Sequence, residues 1–146
     1  MTRREDRFKI CRVPSKGLGI VSTVDIQPGE LIVEERPLVS VQLDSNGDLE
    51  VSKHSSLDQD TEFVVPDLVR KLNALSDHEL AEFFRLSDHF PGSKTAYGVL
   101  KTNGFGMEDG FLNVYPTVAR INHSCLPNAR HYPTKDDSTL SVRQVN

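Results

Sequence analysis

Residues 120–132 read RINHSCLPNARHY and bring two histidines, two asparagines, a cysteine and a proline into thirteen positions. Several chemistries fit such a stretch. A structural zinc site wants four ligands, usually as Cys-x2-4-Cys and His-x3-5-His pairs, and His123, Cys125 and His131 have one further cysteine, Cys11, to call on. A cysteine nucleophile needs a base and an orienting group. His123 lies two residues from Cys125 and shares its face in an extended segment, but no third group is evident. A buried polar turn is the plainest reading, with Asn122 and Asn128 bonded to backbone and Cys125 packed as a small hydrophobe. Taken alone, the stretch reads as that turn.

It is not alone. Ser15 to Gly19, SKGLG, sets two glycines two residues apart in a strand-to-strand turn, where a missing Cβ lets backbone approach a ligand closely. A Gly-x-Gly turn by itself is weak evidence, since most are tight hairpins. What is specific is the order: Lys16-Gly17-Leu18-Gly19 after a first strand, then GELIVEERPL, a helical stretch, Asn103-Gly104-Phe105, and Arg120-x-Asn122-His123-Ser124-Cys125-x-Pro127-Asn128.

The rest of the chain is ordinary. Its 146 residues suit one domain, and 37% hydrophobic with 26% charged residues indicates neither disorder nor a membrane protein. No apolar run approaches the roughly 20 residues that span a bilayer. The charged start lacks the apolar region of a secretory signal, and two cysteines suit a reducing compartment, so nucleus or cytoplasm is expected rather than secretion. The net charge of −4 is uneven: residues 44–100 hold five Lys/Arg against eleven Asp/Glu. That argues against nucleic acid and suits a basic peptide, though a solvated helix face is the commoner explanation. Oligomeric state leaves no trace.

Residues 8–43 read as short strands, with a Pro28-Gly29 turn and a break at Pro37. Residues 44–62 read as a polar linker or insertion with an Asn46-Gly47 turn. Pro66 opens one helix, and Ser76 with Glu79 forms a capping box ahead of another, with Leu80, Phe83, Phe84, Leu86 and Phe90 as its apolar stripe. A third helix from Ser93 toward Phe105 is weakened by Gly98 and Gly104. Residues 115–122 suggest a short helical turn, and residues 139–145 a strand. His54, His78 and His89 read as surface residues, and Tyr97, Tyr115 and Tyr132 as core or loop residues.

Together KGLG, NGF, YPT and RINHSCLPN resemble the SET-domain protein lysine methyltransferases, within them the MYND-related and fungal branch. The resemblance spans about Phe8 to Asn146. It implies a mostly β, β-clip-like fold of small twisted sheets with a helical insertion: one partial SET domain over 1–146, with N-terminal strands (8–43), insertion (44–100) and cofactor-binding part (101–146). It implies S-adenosyl-L-methionine as cofactor, held by Lys16, Gly17, Leu18, Gly19, Asn103, Asn122 and His123. Phe105 and Tyr115 become candidates for lining a channel that admits the lysine of a protein or peptide substrate. Cys125 matches a zinc ligand whose partners come from a cysteine-rich tail.

Three departures temper this. The Gly-Glu-Glu-Leu turn and following tyrosine of the family are not matched, nor is a cysteine-rich tail, nor a MYND finger. A C-terminally incomplete domain is therefore expected, weak or inactive as an isolated chain, with the apolar side chains of Leu140-Ser141-Val142 left without a partner. The alternative is a non-catalytic protein-interaction module of the same fold, in line with Leu18 standing where relatives carry a polar residue.

Overall fold

The computed structural model describes residues 7–55, 61–134 and 138–145. They form two compact units, one from the two ends of the chain up to Arg36 and from Thr117, the other from Pro37 to Pro116.

In the first unit β1 (Phe8–Val13) and β2 (Gly17–Ser22) form an antiparallel hairpin in which Val13 faces Gly17 and Cys11 faces Gly19. Pro14 presets one corner of the turn and Ser15 takes φ 58°, so that the Lys16 N–H closes onto the Val13 carbonyl at 3.1 Å. Gly17 follows at φ 76°, a conformation costly for other residues. β3 (Leu31–Glu35), β9 (Ala129–Pro133) and β10 (Leu140–Gln144) make an antiparallel sheet in the order β3-β10-β9. The Pro28-Gly29 turn forms as expected, with Gly29 at φ 84°, and both sides of it bond to Gln144.

The expectation that Leu140, Ser141 and Val142 lack partners is overturned. All three are buried, and β10 is the central strand, paired on both edges. The second pairing comes from β9, in a stretch that reads as loop because Ala129-Arg130-His131-Tyr132-Pro133 has no apolar alternation.

The second unit holds β4 (Val39–Gln42), β5 (Ser52–Ser55), β6 (Thr61–Val64), the helices α1 (Pro66–Asn73), α2 (Asp77–Arg85) and α3 (Ala96–Asn103), then β7 (Gly104–Gly106) and β8 (Phe111–Val114). Its sheet runs β4-β8-β7, all antiparallel, and α1 packs on β4 through buried Leu68 and Leu72. The Lys71 ammonium fixes this contact by donating to the Ser40 carbonyl at 2.8 Å. The break at Pro37 is real: β3 and β4 on either side join different sheets.

Pro66 begins α1 and the Ser76–Glu79 capping box begins α2, as their spacing predicts. Two expectations need correction. The linker over 44–62 holds β5 and the start of β6, paired as a hairpin through backbone bonds rather than by an apolar pattern. It is steadied by Phe63, which stacks on Tyr97 at 5.3 Å. The α2 stripe is narrower than expected: Phe83 and Leu86 are buried, whereas Phe84 and Phe90 are exposed. Adjacent residues on a helix point about 100° apart, so Phe83 and Phe84 do not share a face. His78 and His89 lie on the surface; the side chain of His54 lies outside the described residues. Among the described residues no helix is long and apolar enough to cross a membrane.

Gly98 does not weaken α3. A Cβ there would overlap the Asp88 carboxylate, which accepts from the Thr95 and Phe90 N–H groups at 3.0 and 2.9 Å. Those backbone bonds, Thr95 first, hold the Asp88 carboxyl below its usual range. Gly98→Ala should therefore destabilise the protein in urea unfolding near pH 7, although helix propensity alone predicts a gain of about 1 kcal/mol. The stability that comes with a depressed carboxyl is present above its unfolded pKa and lost as pH falls through the folded one. The cost of Gly98→Ala should accordingly shrink in acid.

Candidate functional site

The first unit brings the two remote loops together. Asn122 lies against β2, its amide Nδ2 donating to the Leu18 carbonyl at 3.4 Å. Gly19, buried on that strand, makes the approach possible. A Cβ at this position would overlap the Asn122 amide and stand 2.7 Å from the Val13 side chain. Beside it the Lys16 ammonium donates to the His123 carbonyl at 3.2 Å, tying residues 107 apart in sequence. At Gly17, by contrast, an added Cβ would meet nothing within 4 Å. The loops thus make a cradle that is closed at Gly19 and open at Gly17.

Three bonds from backbone N–H groups to one carboxylate aim the Asn122 loop. Glu35, at the end of β3, accepts from the Thr117 N–H with both carboxylate oxygens (3.0 Å each) and from the Val118 N–H at 2.9 Å. These donors open the single 3-10 turn Val118–Arg120, whose first N–H groups have no partner within the turn itself. A short helical turn was expected here; its anchor was not. The glutamate lies in GELIVEERPL and nothing in the sequence pairs it with Thr117. On the far side of the same strands, Ile20 and Ile121 join Ile26, Ile32, Val142 and Gln144 around a cavity of about 250 Å³.

Beyond Asn122 the chain turns on Ser124, whose hydroxyl donates to the Leu126 carbonyl at 3.0 Å. His123 and Cys125 do share a face, with Nε2 3.4 Å from Sγ. Cys125 is exposed, so the reading in which it packs as a small hydrophobe is wrong: the turn points it outward. Among the described residues no three His, Cys, Asp or Glu side chains cluster as a metal site. Leu18 is exposed.

The other candidates belong to the second unit. Asn103, the last residue of α3, spends both amide hydrogens within it, on the Ser87 carbonyl at 2.7 Å and the Val99 carbonyl at 2.8 Å. Phe105 on β7 meets Tyr115 edge to face, ring centroids 5.7 Å apart, and Tyr115 is fully buried. Tyr97 is half-buried in the Phe63 stack, and Tyr132 is exposed on β9.

A fold of small antiparallel sheets with three helices, and an Asn-His loop folded onto a Gly-x-Gly strand, defines a known class. Residues 17–145 match the SET domain family, and the chain belongs to it. It is similar to the histone-lysine N-methyltransferase set5 of Schizosaccharomyces pombe (strain 972 / ATCC 24843), with 23% identity over 142 residues, 94% of this chain. The chain spans 38% of that relative's length.

Two substitutions test the geometry. Glu35→Ala removes a charged acceptor from two backbone donors and should cost roughly 2 kcal/mol or more in urea unfolding, with Glu35→Gln intermediate. Gly19→Ala should cost about 1–3 kcal/mol and move the Asn122 side-chain amide resonance in NMR, since the two groups cannot keep their positions.

Proposed function

We propose that the chain is the methyl-donor-binding part of a protein lysine methyltransferase, of the MYND-related and fungal branch, which takes S-adenosyl-L-methionine. The observation that carries this reading is the apposition of Asn122 and Gly19. The cradle suits the group: exposed Lys16 to Leu18 backbone, open space at Gly17, and an Asn122 amide whose nitrogen is engaged by Leu18 while its oxygen can accept from an amino-acid ammonium. His123 would contribute backbone, in a loop that the Lys16 bond holds in place. Asn103 offers its remaining amide oxygen.

When bound between Lys16–Gly19 and Asn122, S-adenosyl-L-methionine would supply an activated methyl group on a sulfonium sulfur for a neutral lysine amine. The protein's own task is alignment and the supply of a neutral amine. A free lysine titrates at about 10.4, so deprotonation at pH 7.4 costs roughly 4 kcal/mol. An apolar passage lowers that cost by disfavouring the charged form. Phe105 and Tyr115 are the residues we assign to it, and no strong general base is then required.

The similarity to a histone-lysine N-methyltransferase supports a lysine-bearing protein as the substrate class, and the acidic 44–100 segment favours a basic peptide. Nucleus or cytoplasm is the matching location. On this reading the isolated 146-residue chain binds the cofactor and transfers methyl weakly or not at all, because none of its residues matches the family's channel tyrosine. Cys125 becomes a zinc ligand where further cysteines accompany it. A non-catalytic interaction module remains the second reading, favoured by the exposed Leu18.

Calorimetric titration with S-adenosyl-L-methionine tests the assignment. Binding heat should appear with the wild-type chain and fall at least tenfold in affinity with Asn122→Ala. No heat with a folded wild-type chain refutes it.

A further inference from the structure

Asn113 sits in the middle of β8, itself the central strand of the β4-β8-β7 sheet, opposite Ser40 on one side and Phe105 on the other. It is 0% exposed, and neither Nδ2 nor Oδ1 of its side chain has a hydrogen-bond partner among the described residues. Asparagine is depleted in strands, and a buried carboxamide without partners is costly. A local choice that opposes both propensity and burial marks a functional position more often than a packing one. Its surroundings say which function. Residues opposite one another on neighbouring strands share a face, so Asn113 lies beside Phe105. Tyr115, two residues on, follows the same alternation, and its ring meets that of Phe105.

We propose that the Asn113 carboxamide is a ligand-contacting group, its Oδ1 accepting a hydrogen bond from an N–H of the substrate's neutral lysine amine beside the Phe105 and Tyr115 rings. This rests on the lysine methyltransferase reading above. The chemistry favours an amide over an acid. A carboxylate at this position would hold the proton on the amine and raise its pKa, defeating the reaction, whereas a neutral carbonyl oxygen orients the nitrogen without charge. The bond also requires an N–H, and each methyl added removes one. Asn113 is therefore a determinant of how many methyl groups are accepted, favouring the lower states.

The test has two parts. Asn113→Leu and Asn113→Val, one matched in size and one suited to a strand, remove the buried polar atoms; at least one should raise Tm by about 2–6 °C. Loss of Tm in both variants means the amide is satisfied inside the fold, and overturns the proposal. Titration of the wild-type chain with n-butylamine at increasing pH should shift the Asn113 side-chain NH2 resonances saturably, while N,N,N-trimethylbutylammonium, which has no N–H, should not. No response to butylamine, or equal responses to both, also overturns it. Should the butylamine response hold while S-adenosyl-L-methionine gives no heat, the amine site stands and the methyltransferase reading falls.

Discussion

One missing side chain decides the architecture of the candidate cradle. At Gly19 the backbone of β2 comes close enough to Asn122 for an amide to lie across it and reach the Leu18 carbonyl. Any Cβ would overlap that amide. Two loops about a hundred residues apart are thus joined at this point by close backbone approach, with Ile20 and Ile121 on the neighbouring cavity. The Lys16–His123 bond lies next to this contact and adds direction, but it is exposed and contributes little by itself.

The contact depends in turn on where the Asn122 loop leaves the sheet. Glu35 ends β3, and its carboxylate receives the first free N–H groups of the 3-10 turn that leads to Ile121 and Asn122. β3 is itself held by β10, whose far end brackets the Pro28-Gly29 turn. A path of backbone hydrogen bonds therefore runs from the edge of the sheet to the loop. The apolar anchors, Val118 and Ile121, precede the loop, and His123, Cys125 and Leu126 stay exposed.

Features set by neighbouring residues were legible in the sequence. Pro66, the Ser76–Glu79 box, the Pro28-Gly29 turn and the short turn near Val118 are all decided within four residues, and each forms where its spacing predicts. The pairing of SKGLG with RINHSC was legible only through family resemblance, since no local rule joins positions so far apart. Hidden altogether were elements whose cause is distant. The β5–β6 hairpin and β9 have polar sequences and exist because partner strands reach them. Gly98 reads as a helix breaker until Asp88 is seen against it, and Leu140 to Val142 read as orphaned until β9 appears alongside. Glu35 and Asn113 carried no signal beyond an acid near a proline and an asparagine in a strand.

The molecule divides its acids and amides by task. Glu35, Glu30, Asp88 and Glu79 each accept from backbone N–H groups and so hold turns and helix starts in place. Asn103, Asn113 and Asn122, the carboxamides to which ligand contacts are assigned above, are all neutral. That division follows from the chemistry proposed. An ammonium must lose its proton before it can attack, and a carboxylate within a few ångströms would stabilise the protonated form by more than an apolar passage could recover. Carboxamides supply direction to a nitrogen and to a charged cofactor without favouring either charge state. Fixed negative charge is thereby committed to the frame, where it accepts hydrogen bonds from backbone N–H groups.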